Sequence, residues 1–214
     1  MKTTVIVFFA LVTALCMTQF FSEVSFAAPP DNYTAKMMVR GTVMPMARMG
    51  TKTRVEHAAQ GLVTVTLQDA KKVIMMSTAN QAYLEQPLQD QRPSIQDPNT
   101  VVEKKKIGSE TIDGHPCTKY DAVYYFKDKP AEKYKATIWE ANDLGGLVIK
   151  TEMTVPEGKG GGGGAIVTEL KEVKVNAANA SMFEVPANYK KVDNMMELMG
   201  GMEKMKDMMK QKKK

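Results

Sequence analysis

The chain is poor in the residues that most often carry chemistry. It has two cysteines, two histidines and one tryptophan among 214 residues. Two histidines, His57 and His115, stand far apart in the sequence and share no metal-ligand spacing with each other or with a carboxylate. Catalytic sets built on histidine, and imidazole metal sites, therefore find no foothold in the pattern. No serine sits in a nucleophile elbow, and Cys117 has no recognisable base beside it. Long apolar runs are also lacking. The longest, Val5 to Leu15, has eleven residues, whereas about 20 are needed to span a bilayer. No basic run interleaves with aromatics, which speaks against nucleic acid. These absences point away from an enzyme, and the pattern calls for no cofactor.

What is present begins at the N-terminus. Lys2 supplies a positive n-region, Val5 to Leu15 an apolar h-region, and Ser25-Phe26-Ala27 small residues at −3 and −1 of a cleavage point. This predicts a secretory signal peptide over residues 1–27, cut after Ala27, and an exported, periplasmic protein. Cys16 leaves with the signal, and Leu15 before it does not fit a lipidation site. Cys117 then remains as a single thiol that cannot form an internal disulfide. The net charge of +5 gathers in lysine runs, Lys104 to Lys106, Lys190-Lys191 and Lys212 to Lys214. Such runs are ordinarily solvated ends, with attraction to an anionic membrane or partner as the alternative.

Residues 28–192 read as one antiparallel β domain. Tyr33 to Thr42 is β-rich and Lys52 to His57 alternates. In Leu62 to Gln68, Val63, Val65 and Leu67 share one face and Thr64 and Thr66 the other. Val73 to Met76 and Ala82 to Leu84 follow, separated by short polar turns. Gln86 to Thr100 holds Pro87, Pro93 and Pro98, so a loop is expected there. Strands resume over Val101 to Ser109 and Cys117 to Phe126, with Asp113-Gly114 as a hairpin turn. In the second of these, Tyr120 and Tyr124 share a face. Lys133 to Glu140, Leu147 to Val155 and Ala165 to Val175 complete the set, and the glycines from Gly160 to Gly164 read as a flexible linker.

The segment from residue 193 to 214 differs in character. Asn194 to Lys210 predicts a helix capped by Asp193 or Asn194, with Met195, Leu198, Met199, Met202, Met205 and Met209 within one arc. Gly200-Gly201 weakens it by roughly 1–2 kcal/mol. The chain has 18 methionines. Met199, Met202, Met205 and Met208 form an M-x-x-M ladder, and Met44-Pro45-Met46 with Met49 a second cluster. Thioethers bind Cu(I), and they also serve as adaptable fillers of apolar surfaces. The three-residue spacing suits both uses.

The run Ile107-Gly108-Ser109-Glu110-Thr111-Ile112-Asp113-Gly114-His115-Pro116-Cys117-Thr118-Lys119-Tyr120 resembles a family of uncharacterised exported bacterial proteins known as a domain of unknown function. The ending Phe183-Glu184-Val185-Pro186-Ala187-Asn188-Tyr189-Lys190-Lys191 is similar to that family, and also looks like the final strand of the periplasmic lipoprotein carrier LolA and its relatives. The resemblance spans roughly residues 33–192. It implies a mainly β fold, an antiparallel half-barrel with one C-terminal helix, whose apolar concave face holds acyl chains. In such proteins helices cover that face. Here no helix precedes the first strand, so the covering role falls to the methionine-rich helix.

The expectation is a non-enzymatic periplasmic protein that binds a lipid, or the acyl chain of a lipoprotein, in a half-barrel cavity. Val63, Val65, Leu67, Met75, Tyr120, Tyr124, Ile138 and Ile149 are the candidate wall, chosen by parity, and Met199, Met202 and Met205 the candidate plug. Two alternatives stay open. One is a Cu(I)-handling envelope protein using Met199, Met202, Met205 and Met208. The other is an interaction module that docks its C-terminal helix on a membrane or a protein partner.

Overall fold

A computed structural model gives the fold, and it describes residues 28–89, 93–95, 97, 99–155 and 164–201. The predicted signal peptide, most of the glycine run, and Met202, Met205 and Met208 lie outside the described residues. So does the expected helix beyond Gly201.

Twelve strands form one open sheet: β1 (Asn32–Val39), β2 (Thr42–Met49), β3 (Lys52–His57), β4 (Leu62–Leu67), β5 (Lys72–Ser77), β6 (Ala82–Pro87), β7 (Thr100–Ile112), β8 (His115–Phe126), β9 (Tyr134–Ala141), β10 (Leu147–Val155), β11 (Gly164–Val175) and β12 (Lys190–Lys191). Their order is β12-β6-β5-β4-β3-β2-β1-β11-β10-β9-β8-β7. Neighbours run antiparallel, except that β12 lies parallel to β6. Consecutive strands pair along β1 to β6 and β7 to β11. One long-range pairing, β1 with β11, joins the two meanders. The mainly β, antiparallel and open architecture matches the expectation from the sequence.

The first β-rich stretch, Tyr33 to Thr42, holds β1 and the turn of a hairpin whose second arm is β2. Arg40 and Gly41 both take positive φ, 49° and 81°, the pattern of the tight turn that suits strand twist. Arginine at the first turn position hides this signal, so Met44-Pro45-Met46 was legible only as a methionine cluster. Pro45 is a regular member of β2 opposite Lys36. The β2–β3 ladder stops one residue short of it, at Met46↔Val55. A proline has no N–H to give a partner there. Asp113 and Gly114, at 49° and 86°, form the expected turn between β7 and β8.

The sheet is covered on both faces, and register decides which residue lies where. Val63, Val65, Ile74, Met76 and Ala47 form one buried cluster with Ala178 and Phe183, with Leu67, Met182, Val185 and Tyr189 packed against it. Phe183 ends a short 3-10 turn, Ala180–Phe183, so the stretch after β11 folds over this face. On the other face Ala82 and Leu84 bury against Leu198, with Leu62, Met75 and Val192 around them.

Leu198 belongs to the helix α1 (Met195–Leu198), the described part of the expected helix. The cap is as expected: Asn194 Oδ1 accepts from Glu197 N at 2.9 Å. The Glu197 carboxylate reaches back to Asp193 N at 3.4 Å, a reciprocal arrangement that satisfies two otherwise orphan donors. The helix stops after Leu198 because Gly200 turns to φ 69°. Its backbone sits against Asn80, where an added Cβ would come within 2.9 Å of Asn80 Oδ1. Asn80 Nδ2 in turn donates to Leu198 O at 2.8 Å.

Candidate functional site

Thr66 on β4 and Tyr124 on β8 stand seven strand steps apart in the sheet order. A flat sheet would separate them by roughly 30 Å or more, at about 4.8 Å per strand. Both nevertheless line one cleft of about 400 Å³. The sheet therefore curls, and the cleft is its hollow. Its floor comes from alternate residues of the central strands: Tyr33 and Met37 on β1, Met46 and Arg48 on β2, Ile149, Thr151 and Met153 on β10, and Thr168 and Leu170 on β11. Thr53, Thr66 and Gln68 supply a polar wall on the β3–β4 side. Tyr124 is buried, and its hydroxyl donates to Met153 Sδ at 2.8 Å.

A second hollow of about 560 Å³ adjoins the first. Arg48, Ile95 and Val148 line both. Between them runs a strap from the proline-rich loop, with Pro93, Ser94 and Ile95 on the cleft. Ile95 packs on the cluster of Ala122, Tyr124, Ala136, Ile138 and Val148. Asp97 ties the strap down: its N donates to Ser94 O at 2.9 Å, and its carboxylate accepts from Asn99 N at 2.8 Å and from Gln68 Nε2 at 3.4 Å. The prolines of this loop predict an excursion out of the sheet. In the folded chain its apolar Ile95 turns inward over the hollow. Sequence offered one faint signal, a lone isoleucine in a polar, proline-rich stretch.

Of the residues expected to wall the cavity, Tyr124 and Ile149 line the cleft. Ile138 is buried beneath it and Tyr120 packs beside it in the same cluster. Met75 faces Leu84 across the β5–β6 ladder and packs under Leu198, at the sheet's far end. Val63, Val65 and Leu67 must be corrected: they lie on the opposite face, under Phe183 and its neighbours. Both faces are covered, and the more strongly apolar side of β4 marks the drier one. The threonine side, through Thr66, meets the cleft.

The plug also needs correction in its described part. Met199 is exposed, and no residue of α1 lines either hollow. The second methionine cluster does not converge: Met46 lines the cleft, while Met49 packs on the opposite face with Val65. Tyr33, Met37, Arg48, Met153, Thr168 and Leu170 are cleft residues that the sequence did not single out.

The nucleophile candidates are quiet. Cys117 is buried and donates from Sγ to His115 O at 3.3 Å. Burial pushes its thiol pKa up, so the thiolate needed for attack or soft-metal binding is disfavoured. His115 Nδ1 lies 2.8 Å from Asp143 Oδ2, a carboxylate contact that sequence spacing did not reveal. Among the described residues no cluster of His, Cys, Asp and Glu could hold a metal ion.

A family model described as a domain of unknown function, DUF4412, matches residues 27–149, more than half of the chain. The chain belongs to the DUF4412 family. The DUF4412 match takes in β1 to β9 and the start of β10. Met153, Thr168, Leu170, the cover built around Phe183 and α1 all lie C-terminal to it. Comparison with curated proteins gave no match. Among solved structures, the DUF4412 chain is similar to an uncharacterised conserved protein from Thermus thermophilus, at 13% identity and a TM-score of 0.47. That similarity covers 77% of this chain and 91% of that one. It is also similar to MucB, solved in complex with MucA(peri), at 12% identity and a TM-score of 0.35, over 76% of this chain and 57% of that one.

Proposed function

We propose that this DUF4412 protein is an exported, non-enzymatic binding protein that takes the acyl chain of a lipid or lipoprotein into the curled hollow of its sheet. The observation that carries the reading is the cleft lined by Tyr33, Met37, Met46, Tyr124, Ile149, Met153 and Leu170. Its volume falls within the range of about 300–1,000 Å³ typical of small-molecule sites. Thioethers suit a flexible chain of variable length, because methionine repacks at little cost. Arg48, Thr53, Thr66 and Gln68 give one wall polar character, which fits a ligand with one polar end. Ile95 would lie against the chain and set how far it reaches into the adjoining hollow. Export is supported by the leader pattern of residues 1–27, and the family match opens at residue 27.

Native mass spectrometry of protein purified from a membrane-containing host tests this. The expected result is a bound lipid mass in wild type that is lost in Thr151→Trp, where the indole fills the cleft. Protein that never carries lipid, and that ignores added fatty acid or phospholipid in solution, would overturn the reading. Trp139 does not line the cleft, but it belongs to the same buried cluster as Tyr33, Ile149 and Leu170 of the cleft floor. Register places it on the strand face opposite Ile138, where its Nε1 donates to Glu110 Oε2 at 2.8 Å.

A further inference from the structure

The methionines of α1, and Met199 just after it, do the reverse of what a buried stripe would do. Leu198 alone is fully buried, at 0% exposure, while Met195, Met196 and Met199 are 39%, 57% and 43% exposed. One leucine thus pins the helix to the sheet, and three thioethers are held outward. The hydrogen bond from Asn80 to Leu198 O and the close seat of Gly200 against Asn80 fix that orientation. Directly after it come residues 202–214, MEKMKDMMKQKKK, with four more methionines and six lysines against two acidic residues.

The geometry points to this end of the molecule as a docking surface for an anionic phospholipid bilayer. Two features favour that occupant over a protein groove. Methionine side chains are apolar and adaptable, and suit insertion among acyl chains without a shaped pocket. The lysine-rich segment that follows in the sequence adds electrostatic attraction to anionic lipid, which together with buried apolar area sets the strength of binding at a bilayer surface. A second copy of the chain is disfavoured, since each copy would bring the same cationic tail. Register adds a geometric consequence. Leu62, Met75, Ala82 and Leu84, which hold Leu198, are on the same sheet face as cleft residues Thr53 and Thr66. A bilayer held at α1 therefore lies on the side of the sheet into which the hollow opens.

The test is co-sedimentation of the full chain, leader removed, with vesicles of phosphatidylglycerol and phosphatidylethanolamine, and with phosphatidylcholine vesicles as the uncharged control. Wild type should pellet with the anionic vesicles and stay in solution with the control. Met195→Ser/Met196→Ser/Met199→Ser should weaken pelleting without lowering the melting temperature, because these side chains are exposed. Lys204→Gln/Lys206→Gln/Lys210→Gln should weaken it by roughly ten- to a hundredfold, from about 1 kcal/mol per lysine with allowance for screening. Wild-type binding that is equal for both vesicle types, or a methionine variant that pellets like wild type, would overturn the proposal. Thr151→Trp separates this surface from the cleft: it should lose bound lipid and still pellet.

Discussion

Val65 and Thr66 are neighbours on β4 that face opposite ways, and replacing each one tests the two-faced account. Val65 is fully buried beneath Ala178 and Phe183. Val65→Ala removes two methyl groups, worth about 1.6 kcal/mol at ~0.8 kcal/mol per group. The void left under the Phe183 cover raises the loss to about 2–3 kcal/mol. In a domain of this size that lowers the melting temperature by roughly 4–12 °C. Affinity for a fluorescent fatty acid should hardly change. Thr66 lines the cleft, so Thr66→Trp should do the opposite, blocking the fatty acid while the melting temperature stays near wild type. Thermal unfolding by circular dichroism and a fluorescence titration, run on both variants, give the answer. A Val65→Ala protein that keeps its stability and loses the fatty acid would refute the face assignment. So would a Thr66→Trp protein that melts early and binds normally.

Three further outcomes follow from local contacts. Leu198→Ala should lose roughly 2–5 kcal/mol of local stability, releasing α1 and raising hydrogen exchange over residues 195–200 while β1 and β2 stay protected. Lys191 and Lys72 hold the Glu85 pKa below its ordinary value, and Glu85 in turn raises that of Lys191. The Glu85 contribution is therefore complete above the ordinary carboxylate range and fades as pH falls through the depressed value. The Lys191 contribution is complete below the ordinary lysine range and fades as pH rises through the raised one. Melting curves of wild type and Glu85→Gln should thus differ at neutral pH and converge in acid. Finally, burial and a raised pKa should keep Cys117 unreactive toward a thiol reagent in native buffer, with one equivalent reacting in urea.

Much of the fold was legible because strand alternation and turn chemistry are local. Leu62 to Gln68, Asp113-Gly114 and the strands from Cys117 to Val175 could be placed from pattern alone. Arg40-Gly41 could not, since arginine gives no hint that it will take a positive φ. The site was harder to read for a physical reason. Alternation separates two faces of a strand without saying which one curls inward. Choosing the apolar face of β4 as the cavity put Val63, Val65 and Leu67 on the wrong side, because a segment more than a hundred residues later covers them. The short helix shows a different limit. Periodicity grouped its methionines with Leu198, yet Gly200 and Asn80 interrupt the helix after Leu198, and among its described residues only the leucine is buried. Tyr124 and Ile149 do line the cleft, but residue type alone does not decide it: Ile107 on β7 stands exposed, and Ile149 sits where the β9–β10 register shifts.

The most direct test of the central claim is photo-crosslinking of the full-length mature protein with a fatty acid carrying a diazirine on its chain, followed by peptide mapping. The account predicts label on the cleft floor, at Met37, Met46, Met153 or Leu170, and on Ile95 of the strap. Label confined to the Phe183 face, or none above the level seen with Thr151→Trp, would contradict it.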